Sequence, residues 1–186
     1  MRLFIAIELP SEIRDALVAF VTELRGIAPR AKWVRADNLH VTLKFLGETD
    51  AGKLPVIQNA AASIRSGAPV TLDFHGLGFF PNEHRPRVFW VGMQTSANLK
   101  TLAEAIDQEM HKNGFPLENR PFTPHLTLAR FEPPGMPAQL SAAAKKNAAR
   151  SFGSLTAHEF HLIESKLKPG GAEYTTLKSF PFVAGT

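Results

Sequence analysis

The chain has 186 residues, 44% of them hydrophobic and 20% charged. That composition fits an ordinary globular protein with one substantial core or two intimate lobes, and excludes a disordered or fibrous chain. There is no cysteine, so disulfides, zinc-thiolate sites and thiol chemistry are excluded, and a reducing compartment is expected. The net charge of +4 suits a polyanionic partner without requiring one.

Arg2 to Leu9 reads as a strand; its apolar run is broken by Glu8 and Pro10, too short for a membrane span or a signal segment, so a cytoplasmic protein with no membrane partner is expected. After the turn at Pro10-Ser11, Ile13, Leu17, Phe20 and Leu24 recur at helical spacing and predict a helix over 12–27. Lys32–Val34 and Leu39–Leu46 read as strands, the second ending at the turn formers Gly47 to Asp50, and a helix is predicted over 54–66. Val70–Phe74 and Arg87–Val91 read as strands separated by a loop over Gly76–Pro86. A helix over 98–112 ends at Asn113-Gly114, and Phe122–Phe131 reads as a strand. Beyond a turn at Pro133-Pro134-Gly135, a helix is predicted over 138–150, and Ser154–Leu167 with Tyr174–Val183 read as a closing strand pair. Strand, helix, strand appears in both halves, which predicts an α+β fold of two lobes facing across a cleft, as one unit over 1–186.

The two halves share one phrase. His40-Val41-Thr42-Leu43 and His125-Leu126-Thr127-Leu128 each place a histidine two residues before a threonine, and about 0.1 such phrases are expected by chance at this composition. On a strand, alternation puts His40 with Thr42, and His125 with Thr127, on one face and the apolar residues on the other. Two facing imidazoles can divide the labour of phosphodiester hydrolysis, one taking a proton from water and the other giving one to the departing oxygen, because an unperturbed histidine titrates near 6.5. The hydroxyls suit the non-bridging oxygens of a phosphate. A cyclic phosphodiester, with its strained ring, is the substrate such a metal-free pair could manage.

Together with their surroundings, HVTLKFLGE and RPFTPHLTLAR, the phrases resemble the paired motifs of the two-histidine (2H) phosphoesterases. Within that superfamily they resemble the branch of the RNA 2',3'-cyclic phosphodiesterases, also called the bacterial and archaeal 2'-5' RNA ligase family. The resemblance runs from RLFIAIELP to TTLKSFPF. It implies two pseudo-symmetric lobes, each an antiparallel sheet with helices outside, facing across a central cleft. It also implies metal-independent hydrolysis of RNA 2',3'-cyclic phosphate to a 2'-phosphomonoester, with His40 as proton donor, His125 as acceptor, and Thr42 and Thr127 on the phosphate. The two phrases are symmetric, so the residues alone do not assign the acid and the base. No cofactor or metal is implied; the partners are RNA ends bearing cyclic phosphate, tRNA fragments among them, and a monomer is expected.

Arg130 matches the family's arginine after the second motif. Strict alternation puts it opposite His125, so it reaches the cleft only where the strand twists or ends near Ala129. Lys44 stands where relatives often carry arginine; alternation puts it on the His40 face as a phosphate contact, keeping the charge without the bidentate fork. For both cations the plain alternative is a solvated surface residue. Phe122 is the candidate for stacking on a base, with Phe79, Phe80 and Trp90 as further aromatics. Arg85, Arg87, Arg120, Lys166 and Lys168 could form a basic rim. The remaining histidines, His75, His84, His111, His158 and His161, lack the paired threonine and any metal-binding spacing. Two other functions share these features: 2'-5' ligation by the same site, and a non-catalytic RNA-binding module.

Overall fold

A computed structural model describes residues 1–132, 137–169 and 171–182. Nine strands and four α-helices are found among them: β1 (Arg2–Glu8), α1 (Ser11–Arg25), β2 (Lys32–Trp33), β3 (His40–Glu48), α2 (Leu54–Ser63), β4 (Val70–Phe80), β5 (Val88–Thr95), α3 (Asn98–Lys112), β6 (His125–Arg130), α4 (Ala138–Lys146), β7 (Ser151–Ala157), β8 (Glu159–Lys168) and β9 (Gly171–Pro181). The predicted turn at 133–135 and the end of the last strand at Val183 lie outside the described residues. No helix among the described residues is long and apolar enough to cross a membrane.

The strands form two antiparallel sheets, one of order β3-β1-β8-β9 (sheet A) and one of order β2-β6-β5-β4-β7 (sheet B). One face of each sheet enters a shared core: Leu3, Ile5, Ile7, Val41 and Leu43 from sheet A and Phe89, Val91, Leu126 and Leu128 from sheet B. Helices close the core from outside, α2 and α3 against sheet A, α1 and α4 against sheet B. The amphipathic spacing seen in the sequence is what makes this work, since α1 buries Ile13, Leu17, Phe20, Val21 and Leu24. The other face of sheet A carries a small separate cluster, Phe4, Ala6 and Ile163 with Tyr174 packed against it.

The pseudo-symmetry expected from the doubled phrase is structural. β1-α1-β3 and β5-α3-β6 are equivalent units, with α1 and α3 each 15 residues long, and in each unit the histidine strand pairs antiparallel with the strand before the helix. The units exchange elements: β2 from the first half pairs with β6 in sheet B, whereas β8 and β9 from the end of the chain complete sheet A.

Two expectations are corrected. The predicted loop at Gly76–Pro86 is strand as far as Phe80, because Gly76 takes φ +77° in a bulge between Phe74 and Leu77, after which Leu77–Phe80 pair with Val91–Val88. The predicted strand Ser154–Leu167 is two strands in different sheets, β7 against β4 and β8 against β1, separated at His158. Apolar patterning marks a strand but carries no information on which sheet takes it.

Candidate active site between the two sheets

The phrase-bearing strands β3 and β6 are the nearest strands of the two sheets. In both, the histidine and threonine are half-buried while the residue after each is buried, as alternation requires. Each histidine is fixed in the same way. The Nδ1 of His40 lies 2.7 Å from the carbonyl of Asn38, and the Nδ1 of His125 lies 2.8 Å from the carbonyl of Thr123. A carbonyl can only accept, so both Nδ1 atoms donate, and both Nε2 atoms are left to receive or, when protonated, to give a proton.

Aromatic rings support each imidazole. On sheet A, Phe4 lies 4.7 Å from the His40 ring centroid and Tyr174 5.3 Å, the latter edge-on. On sheet B, Phe80 meets His125 edge-on at 5.0 Å and leans on Trp90 at 5.1 Å. Trp90 lies across Gly78, where a Cβ would come within 2.2 Å of the indole, so this wall depends on a glycine having no side chain.

Beyond the threonine both strands bulge at the same place. Ala6 and Ile5 pair with Thr42 and Lys44, and Trp90 and Phe89 pair with Thr127 and Ala129, leaving Leu43 and Leu128 as the extra residues. A bulge inverts the alternation that follows it. Lys44 and Ala129 are therefore buried with the leucines, and Phe45 and Arg130 return to the exposed side.

This changes the side on which two of the expected residues stand. Lys44, expected on the His40 face as a phosphate contact, is on the opposite, buried face: it is 2% exposed, its Nζ donating to Asp107 of α3 at 2.5 Å and to the carbonyl of Pro116 at 2.9 Å. Arg130, placed by strict alternation opposite His125, is returned by the bulge to the His125 side, and its positive charge acts on both His40 and Tyr174 of sheet A. Phe122 precedes β6 and packs half-buried against the core. The exposed aromatic is Phe45, 58% accessible, 6.1 Å from Phe4 on the His40 face, and equivalent by the shared register to Arg130. Alternation gave no reason to choose it, but comparing the phrases two letters further would have paired it with Arg130.

The register also breaks the symmetry of the pair. The cross-strand neighbour of His40 is Glu8; that of His125 is Gly92. Burial pushes the His40 imidazole down to about 4, opposed by its bond to Asn38 and by the Glu8 carboxylate, and reinforced by the Arg130 charge. A cavity of about 130 Å³ opens beside it, lined by Glu8, Leu9, Arg14, Asp37, Tyr174 and Thr176 among others, with the Thr176 hydroxyl donating to Glu8.

The other histidines lie elsewhere: His111 bonds the Phe115 carbonyl, and His161 meets the Ser179 hydroxyl at 3.0 Å. No group of three or more potential metal ligands occurs among the described residues. Of the residues expected to form a basic rim, Lys166 and Lys168 are paired with Glu164 and Glu173.

The family model described as the 2'-5' RNA ligase superfamily matches residues 13–169. The chain belongs to this superfamily. Its relatives include an RNA 2',3'-cyclic phosphodiesterase of Archaeoglobus fulgidus, 33% identical over 180 residues that cover 97% of this chain and 99% of that protein. Among solved structures it is similar to TT0787 of Thermus thermophilus, with TM-score 0.80 and 34% identity over 98% of both chains. It is also similar to LigT of Escherichia coli complexed with 3'-AMP, with TM-score 0.78 and 34% identity over 97% of both chains. The superfamily membership and the two-sheet α+β architecture agree with what the doubled phrase implied.

Proposed function

We propose that this protein hydrolyses RNA 2',3'-cyclic phosphate ends to 2'-phosphomonoesters without a metal, with His40 and His125 as the proton-transfer pair. The observation that carries this is the matched locking of both Nδ1 atoms by backbone carbonyls, which leaves two Nε2 atoms for proton transfer on the neighbouring strands of the two sheets. Thr42, Thr127 and Arg130 line the same side and suit the phosphate oxygens, Arg130 by a bidentate fork. Relatives named RNA 2',3'-cyclic phosphodiesterase support the substrate class.

His40 is assigned the acid and His125 the base. The support is the carboxylate of Glu8 facing His40, which favours an imidazolium there, where His125 faces a glycine. With its proton held at a pKa of about 4, His40 is neutral in the free protein near neutral pH. The anionic phosphate, arriving beside it, supplies the charge that draws a proton onto Nε2. That proton passes to the departing 3'-oxygen while His125 takes one from the attacking water, and the phosphate stays on the 2'-oxygen.

Incubating an oligoribonucleotide ending in 2',3'-cyclic phosphate with the protein in excess chelator tests this. The expected product is the 2'-phosphate, with His40→Ala and His125→Ala each losing about a hundredfold to ten-thousandfold in rate. A metal requirement, a 3'-phosphate product or full activity in either variant would overturn the assignment. The same residues serve 2'-5' joining in reverse by microscopic reversibility, so a joined product in the presence of a 5'-hydroxyl RNA would mark ligation as the dominant direction.

A further inference from the structure

On sheet A the face that carries His40 continues past Phe45 to a second polar row. Arg2 pairs with Ser165, and Ser165 pairs with Tyr174, so the three lie side by side across β1, β8 and β9, one row beyond Phe4 and Ile163 on the same face. The ring of Tyr174 packs edge-on, 4.9 Å from Phe4 and 5.3 Å from His40. Burial raises the pKa of its phenol, and the positive charges of Arg130 from sheet B and Arg2 from its own sheet oppose that rise. Neither guanidinium has a carboxylate partner within 4.0 Å among the described residues, whereas Lys166 and Lys168, on the opposite face of β8, are paired with Glu164 and Glu173. Two guanidiniums outside any ion pair, one from each sheet, make a place for two anions in succession; Glu48, the cross-strand neighbour of Arg2, lies 4.0 Å from the N-terminal ammonium instead. Arg130 is beside His40 and belongs with the reacting phosphate; Arg2 is further along β1 and has no anion to meet in the proposed reaction of a mononucleotide.

Resting on the cyclic-phosphate hydrolysis proposed above, we propose that Arg2 and the Tyr174 hydroxyl bind the phosphate on the 5' side of the terminal nucleotide, so that the protein selects RNA ends over free cyclic nucleotides. An RNA chain then lies along sheet A with its cyclic end at His40, its last base against Phe45 and its next phosphate on the Arg2 row. The recognised group is a 5'-phosphate ester of the reacting nucleoside, whether it ends there or continues into a chain.

Three substrates separate the contributions: a nucleoside 2',3'-cyclic phosphate, the same compound carrying a 5'-phosphate, and a dinucleotide ending in the cyclic phosphate. The wild-type kcat/KM should rise at least tenfold on adding the 5'-phosphate or the upstream nucleotide, mostly through KM. In Arg2→Gln that gain should fall to within about threefold, and in Tyr174→Phe it should be partly lost. Binding of the dinucleotide to a His125→Ala variant should lose about 0.7 from its log-log salt slope when Arg2 is also replaced, as one phosphate contact on a single strand predicts. A gain that survives in Arg2→Gln, a gain that requires the upstream nucleoside instead of the phosphate, or a variant that slows all three substrates by one factor would each overturn the subsite. Failure of the wild type to turn over any of the three would instead count against the proposed hydrolysis.

Discussion

At the scale of single residues, the two phrases are equal in sequence and unequal in surroundings. Glu8 is the nearest cause, and its effect can be measured. In Glu8→Gln the anion favouring the His40 imidazolium is gone, so the acidic limb of kcat/KM against pH moves to lower pH and the plateau falls, because less of the pair holds its proton on His40. A purely structural loss would lower the plateau and leave the limb in place. Phe45 is the other residue whose role depends on the bulge. Stacking on one base is worth about 1–3 kcal/mol, so Phe45→Ala should lower kcat/KM by roughly tenfold, while Phe45→Trp should retain activity; a Phe122→Ala variant, whose ring packs against the core, should act on stability instead.

At the scale of elements, the paired bulges decide which side chains serve the cleft. His40, Thr42, His125 and Thr127 were legible because four letters of strict alternation precede the irregularity. Lys44, Phe45 and Arg130 were not, because one unpaired residue in each strand inverts every face after it, and neither Leu43 nor Leu128 carries a mark of being that residue. The boundaries of α3 were fully legible, its apolar period being ended by Asn113-Gly114. The division of Ser154–Leu167 between sheets was not, since distant pairing partners decide it, β4 for β7 and β1 for β8. Lys44 now belongs to β3–α3 packing. Removing it leaves Asp107, with its carboxylate 18% exposed, without its partner, and breaking such a buried pair costs about 3–5 kcal/mol. Lys44→Ala should therefore lower the urea midpoint strongly, and at temperatures where it stays folded its KM for the cyclic phosphate should stay close to wild type.

For the whole molecule, the cost of burying His40 enters stability. Its imidazole titrates near 6.5 when unfolded and about 4 when folded. Between those values the unfolded chain binds the extra proton, so stability decreases as pH falls through this window, by about 3 kcal/mol in all, and is undiminished by this group above 6.5. Urea unfolding at pH 7 and pH 4.5 should show the loss, and His40→Gln should remove most of the difference attributable to this residue; an unchanged pH slope in that variant would locate the effect elsewhere. An anionic ligand in the cleft should narrow the window by raising the folded value.

The exchange of strands between the halves has a consequence for synthesis on the ribosome. β1, the second strand of sheet A, is made first, but its partner β8 comes from residues 159–168. Through most of translation β1 can pair only with β3, and its other edge stands open and apolar, the kind of edge that invites pairing with a neighbouring chain. The His40 side of the cleft, with Tyr174 on β9, is thus among the last parts of the molecule to be assembled, after the sheet that holds His125 has all its strands. A nascent chain would set the completed sheet that carries His125 against only a two-stranded β1–β3 ribbon carrying His40, until β8 and β9 emerged.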